Sequence, residues 1–176
     1  MTKILVTGSK GFIGSRVLSY LQEKGQNAVG TSEEIRNIET LRPHFKGVEF
    51  VIHTAGKKYN PLQEEDFYTI NVLGTGNVAQ LCLENDSKLI HLGSIATDGP
   101  YGVSKQQSQK LVEDYCNRKG LRAIVLRLCV IYTDEKDSKK RGARYPLERL
   151  VVDIENMIKN HDFSKYKLVD YSNTRA

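Results

Sequence analysis

TGSKGFIGS, residues 7 to 15, joins an apolar run, KILVTG (residues 3 to 8), to SRVLSYLQEKG (residues 15 to 25). The first run reads as a strand. In the second, Val17, Leu18 and Leu21 recur at helical spacing and Gly25 supplies a stop. Gly8, Gly11 and Gly14 therefore fall in a turn between a strand and a helix. A tight bend, a backbone that can approach an anion, and close packing of helix on strand each call for a missing side chain. The helix start also offers unpaired N–H groups and a partial positive charge, a combination suited to a pyrophosphate. Three glycines elsewhere would mean little, but between the first strand and the first helix they decide the fold.

The same alternation continues outward. NAVGTS (27–32) reads as a short strand, residues 38 to 45 as a helix ending near Gly47, and EFVIHTAG (49–56) as a strand running into a small-residue turn. Asn60–Pro61 has the pattern of a helix start, with Asn as cap, Pro in the first turn and acids close behind. That helix is expected to run through INVLGTGNVAQLCLEN (70–85). KLIHLGS (88–94), YGVSKQQSQKLVEDYCNRKG (101–120) and LRAIVLRLCVIYT (121–133) read as strand, helix and strand. Strands apolar throughout and separated by helices predict an α/β fold, a Rossmann-like doubly wound parallel sheet with helices on both faces. Residues 1–133 form its dinucleotide-binding domain. Residues 134–176 read as a charged loop, an amphipathic helix from Pro146 to Lys159 and a brief strand, KLVDYS. This extension is too short for a second domain and is expected to pack on the first.

The 176 residues suit one domain, and 39% hydrophobic with 27% charged residues is ordinary for a globular chain. No apolar run reaches bilayer length, and MTKILVTGSKG lacks the features of a signal peptide. Cys82, Cys116 and Cys129 are odd in number and lie within apolar patterns, which points to buried thiols in the cytoplasm, with no disulfide framework or metal. Much of the net charge of +5 comes from KDSKKRGAR (136–144), which reads as a solvated loop as readily as a phosphate-binding patch. No aromatic platform interleaves it, so a nucleic-acid partner is not favoured.

Tyr101 and Lys105 stand four apart, which on a helix puts phenol and ammonium on one face. By themselves they are an acid–base pair or two surface neighbours. T-G-x-x-G-F-I-G at 7 to 14, HTAG at 53 to 56, INVLGT at 70 to 75, Ser94, YGVSK at 101 to 105 and LRLCVIYT at 126 to 133 follow in that order. Together they resemble the extended short-chain dehydrogenase/reductase family, the sugar-nucleotide epimerases and their relatives. The resemblance covers the chain to about residue 133, and LVDYSNTR (168–175) extends it. Members are commonly much longer, so most of a C-terminal substrate lobe is expected to be absent.

The resemblance implies NAD or NADP held by Gly8, Gly11, Phe12, Ile13 and Gly14, by Ser32, Glu33, Ile35 and Arg36 after the second strand, and by Ala55 and Gly56. It implies hydride transfer to or from a hydroxyl or carbonyl carbon, with a nucleotide sugar as the substrate class and no metal. Tyr101 would be the acid or base. Its phenol, ordinarily near pKa ~10, would be drawn toward neutrality by the Lys105 cation, which would also bond the nicotinamide ribose. Ser94 would steady the substrate oxygen, and Asn71 would support a water-linked proton path behind the lysine. The helices bearing Asn71 and Tyr101 make a dimer in the resembling family, implying a homodimer. The alternative function is a dinucleotide-binding sensor or partner module without turnover.

Two departures sharpen the reading. Only six residues separate Ser94 from Tyr101, fewer than in most of the family, which predicts a more open pocket. Ile95–Ala96 follow Ser94 where dehydratases carry Asp-Glu, which disfavours dehydration against reduction, oxidation or epimerisation. After the second strand, Glu33 suits the ribose diol of NAD, while Ser32 with Arg36 suits a 2′-phosphate. The serine–threonine pair tips the reading toward NADP. His53 and His91 are expected to be structural.

Overall fold

Along the first strand Ile4 and Val6 enter one hydrophobic cluster and Leu5 another, on the opposite face of the sheet. This period-2 alternation repeats in every central strand and asks for helices on both sides. The computed structural model describes residues 2–58, 65–134 and 142–172. Its strands β1 (Lys3–Thr7), β2 (Asn27–Thr31), β3 (Phe50–His53), β4 (Lys88–Ser94), β5 (Ala123–Leu128) and, last in the chain, β8 (Lys167–Asp170) form one sheet in the order β2-β1-β3-β4-β5-β8. Every pairing in it is parallel. The chain passes from β1 to β2 on one side and returns to β3 on the other, so the order reverses at β1. In open parallel sheets the crevice beyond the carboxyl ends of the strands at this point is where ligands bind.

Helix α1 (Phe12–Glu23) buries Val17 and Leu21 on the Ile4 face. Helix α2 (Ile38–Phe45) covers the Leu5 face, capped by Asn37, whose side chain accepts from the N–H groups of Glu39 and Thr40. Helix α3 (Glu65–Phe67) leads through a π-helical segment (Tyr68–Gly74) into α4 (Thr75–Glu84). Beside α4 lies α5 (Gly99–Lys119), which ends at Gly120 in the left-handed conformation.

Two expectations shift. The predicted strand 121–133 divides at Cys129 into β5 and β6 (Val130–Tyr132). At that point the Val130 N–H turns to the carbonyl of Ala143, and β6 pairs with β7 (Arg144–Pro146) in a separate small sheet. The helix through 70–85 is interrupted by the π-helical segment, while the start read at Asn60–Pro61 lies outside the described residues.

The last part of the chain joins the same core. Helix α6 (Leu147–Asn160) begins after Pro146 and buries Leu150, Val151, Ile154 and Met157 beside α1. Arg16 grips both oxygens of Glu148 at 2.7 and 2.6 Å, and Glu155 accepts from Tyr20, Gln26 and Lys159. β8 adds its register to β5, with Asp170 paired to Arg127 at 2.8 Å. Ile154→Ala removes a side chain that is 0% exposed and is expected to cost about 2–5 kcal/mol in urea denaturation, with one cooperative transition retained.

Candidate functional site

The glycine loop is built by close approach. Gly8 has φ +68°, and a Cβ there would stand 2.7 Å from the Cα and N of Ala55. A Cβ on Gly14 would stand 2.3 Å from the Gly8 carbonyl oxygen and 2.4 Å from Thr54 Oγ1. The glycines thus let β1, the end of β3 and α1 meet backbone to backbone. Gly11, extended at φ −77° and ψ 169°, precedes α1 and gives it no side-chain cap. The first N–H groups of α1 therefore keep their capacity for an anion, so the cradle fits the diphosphate of a dinucleotide.

Two cavities meet over this loop and share Gly11, Thr54, Gly56 and Lys57. The larger, about 830 Å³, runs over the ends of β3, β4 and β5 and takes in Phe12, Ile13, Ser94, Tyr101 and Lys105. The smaller, about 280 Å³, runs past the end of β2 and takes in Gly8, Ser32, Glu33, Ile35 and Ala55. The sequence-predicted residues therefore line one continuous groove, apart from Asn71 and Arg36, which line neither cavity.

The short connection from β4 to α5 closes because of another glycine: a Cβ on Gly102 would lie 2.7 Å from the Thr97 carbonyl carbon. It brings Tyr101 to Ser94. The Ser94 hydroxyl accepts from Ala96 N–H at 3.1 Å and lies toward the phenol, an influence that favours phenolate. Burial is the larger effect and pushes the Tyr101 pKa up. The Lys105 ammonium donates to the Leu92 carbonyl at 2.7 Å, and burial lowers its pKa to about 8. Without ligand the phenol is thus set by burial and Ser94, whereas the resemblance implied control by the lysine.

Asn71 is buried behind the crevice. Its side chain accepts from Lys57 N–H at 2.7 Å and donates to Lys57 carbonyl (3.1 Å) and Ser104 Oγ (3.0 Å). Ser104 in turn donates to the Tyr101 carbonyl at 2.8 Å. The carboxamide therefore ties the turn after β3 to the helix that carries Tyr101. Behind it the proton positions are determined. Thr75 has one hydroxyl hydrogen and gives it to the Asn71 carbonyl at 2.7 Å. The Thr75 oxygen must then accept from His53 Nε2–H (3.1 Å), leaving His53 Nδ1 to accept from Thr7 (2.8 Å). His53 is a neutral, buried strut with its pKa pushed down to about 3 by burial, next to the Lys105 charge. His91, stacked on it at 5.3 Å, is buried and depressed as well. Both match the structural role expected of them.

At the end of β2, Arg36 is drawn to Glu34 at 2.8 Å and toward Asp66 at 4.0 Å. The carbonyls of Ile35 and Arg36 both accept from Asn77 Nδ2 at 3.0 Å. Sequence reasoning passed over Asn77, Thr54 and the Lys57–Lys58 pair. The last was legible as two cations directly after the HTAG turn. Among the described residues no cluster of three or more His, Cys, Asp or Glu side chains can hold a metal, and no helix is long and apolar enough to cross a membrane.

Residues 4–157 match the NAD dependent epimerase/dehydratase family. The chain belongs to this family. It is 26% identical to a putative UDP-glucose 4-epimerase of Methanocaldococcus jannaschii, over 89% of this chain and 63% of that protein, less than two thirds of its length. Among solved structures, the fold matches MoeE5 in complex with UDP-glucose and NAD with TM-score 0.82 at 18% identity, covering 97% of this chain and 76% of that one. It also matches the dTDP-4-dehydrorhamnose reductase of Bacillus anthracis in complex with NADP, with TM-score 0.80 at 18% identity over 99% and 76%. At these identities the structures establish the fold. The family is one of NAD-dependent enzymes, and the glycine cradle fits a nicotinamide dinucleotide.

Lys105 sets a testable cost. Its folded pKa, about 8, lies below its ordinary 10.5. Between those values the unfolded chain holds a proton that the folded chain has released, so stability rises with pH across that window; below it the full penalty of the buried ammonium is present. Lys105→Met is expected to stabilise the ligand-free protein at pH 7 by about 1–3 kcal/mol, a gain that shrinks by pH 10, as read by urea denaturation at both.

Proposed function

We propose that the chain is an oxidoreductase or epimerase that binds its dinucleotide along the joined cavities and acts on a hydroxyl or carbonyl group, with a nucleotide sugar as substrate class. The observation that carries this reading is that the glycine cradle and the Ser94, Tyr101 and Lys105 side chains line one crevice. When bound, the nicotinamide supplies or accepts hydride. Phe12, Ile13 and the first N–H groups of α1 flank the diphosphate. Lys105, which donates to the Leu92 carbonyl, would hold the ribose of a bound dinucleotide, and its cation beside Tyr101 would offset the burial that raises the phenol. Tyr101 exchanges a proton with the substrate oxygen that Ser94 holds. Asn71 acts as a positioning residue through Lys57 and Ser104. Residues 134–176 serve as an extension of the one domain.

The cofactor choice falls to NAD. Arg36 is paired with Glu34 and approached by Asp66, while Glu33 and Glu34 both line the smaller cavity, so a 2′-phosphate would meet carboxylates. This tips the choice against the serine–threonine pair. We also place the protein in the cytoplasm, in line with three free thiols, and as a homodimer through the exposed Leu73 and Val103 of the π-helical segment and α5.

Two observations favour a second reading, a dinucleotide-binding module without turnover: the buried phenol is raised, and the ammonium is turned to a carbonyl. Calorimetric titration is expected to give NADH tighter than NADPH by about tenfold, about 1.4 kcal/mol. Tyr101→Phe is expected to lower turnover on a nucleotide sugar by about 100-fold or more while NADH affinity is unchanged. NADH binding with no turnover by the unaltered protein on any nucleotide sugar would select the module.

A further inference from the structure

Leu128, Cys129, Val130 and Ile131 form one wall of the larger cavity, where β5 ends and β6 turns away. Leu128 is in register with Ser94, and its carbonyl accepts from the Ile95 N–H at 3.0 Å. The wall therefore stands beside the reacting end of the crevice. Its own ladder, β6 on β7, pairs three residues with three, and a lone pair of strands is marginal. Behind it lies a buried cluster. Tyr145, in register with Ile131, and Tyr171, the residue after β8, are each 4% exposed and meet edge to face at 4.7 Å. Both phenols donate to the same oxygen of Asp153 on α6, at 2.5 and 3.2 Å. Burial and that carboxylate push both phenols above their ordinary pKa, so each stays protonated as a donor. The Tyr171 N–H donates at 3.0 Å to the carbonyl of Arg127, the residue before Leu128. The circuit closes: from Ile131 through Tyr145, Asp153 and Tyr171 to Arg127, both ends of the wall are fastened to α6.

We infer that Asp153, acting through Tyr145 and Tyr171, is a positioning residue for the crevice: it braces residues 128–131 so that the reacting end of the bound dinucleotide is held beside Ser94 and Tyr101. The inference rests on the proposed function, since it takes a nicotinamide at that end as given. None of the three side chains lines the cavity, so their effect passes through the wall. A carboxylate suits the task because it accepts two phenols at once, in bonds stronger than those between neutral groups. Helix α6 is a firm support, since Arg16 holds Glu148 and Tyr20 donates to Glu155 at 2.8 Å, tying it to α1 independently of the wall.

The test compares Tyr145→Phe and Tyr171→Phe with the unaltered full chain. Both keep the ring and remove one donor. The control is Tyr20→Phe, which removes a phenol from another carboxylate of the same helix, away from the wall. Amide hydrogen exchange reads the wall directly through the N–H groups of Val130 and Tyr171, bonded to the carbonyls of Ala143 and Arg127. Exchange at Val130 is expected to quicken about tenfold in Tyr145→Phe, as for the loss of one hydrogen bond, and less in Tyr171→Phe, whose bond is longer, with no change in Tyr20→Phe. By calorimetry Tyr145→Phe is expected to bind NADH about fivefold more weakly and ADP-ribose, which lacks the nicotinamide, as tightly as the unaltered protein. Unaltered exchange at Val130 in both wall variants, or equal quickening in Tyr20→Phe, overturns the brace. Quickened exchange with unaltered NADH affinity overturns the positioning role and leaves a structural one. Binding of neither NADH nor ADP-ribose by the unaltered protein overturns the dinucleotide reading, and the positioning role with it.

Discussion

The backbone of Gly8 lies where any Cβ would collide with Ala55, and that of Gly14 lies where one would collide with Gly8. This double approach is the constraint from which the site follows. It brings the end of β3 against the turn after β1 and seats α1 low enough that its first N–H groups face the groove. Thr54 reinforces it by donating to the Thr7 carbonyl at 2.6 Å. Because β2 and β3 leave β1 on opposite sides at this level, the crevice opens there. A side chain on Gly8 would push away the turn after β3, and one on Gly14 would push away α1, so either would distort the cradle.

Behind the crevice lies a polar interior without net charge. Thr7, His53, Thr75, Asn71 and Ser104 are each no more than 2% exposed, and their hydrogen bonds run in one determined direction. Burial, and the Lys105 charge beside it, keep the His53 ring neutral. The network therefore locks the turn at Lys57 and the backbone of Tyr101 to each other without adding charge beneath the groove. The buried ammonium of Lys105 is the exception, a destabilising feature of the kind that working sites retain at some cost in stability.

Legibility differed between elements for physical reasons. β4 was read at 88–94 and α2 at 38–45, both as found, because an apolar run bounded by turn residues and a capped helix carry their own local signals. The division of 121–133 left no mark in the sequence. LRLCVIY is β-prone throughout, and only the pairing of Val130 with Ala143, from a distant part of the chain, decides where the strand turns away. The π-helical segment was equally invisible, since INVLGT continues an ordinary helical pattern. The helix on 147–160 was legible, but the partner of its apolar face was not.

The sequence by itself determined the doubly wound sheet, the glycine cradle, and the presence of Ser94, Tyr101 and Lys105 on neighbouring elements. These depend on spacing and on missing side chains, which are local properties. Tertiary structure alone decided that Arg36 pairs with Glu34, that Asn71 binds Lys57 and Ser104, and that Lys105 turns to Leu92. Each of those depends on which groups from distant segments meet and on how much water burial removes around them, quantities that no local stretch of residues encodes.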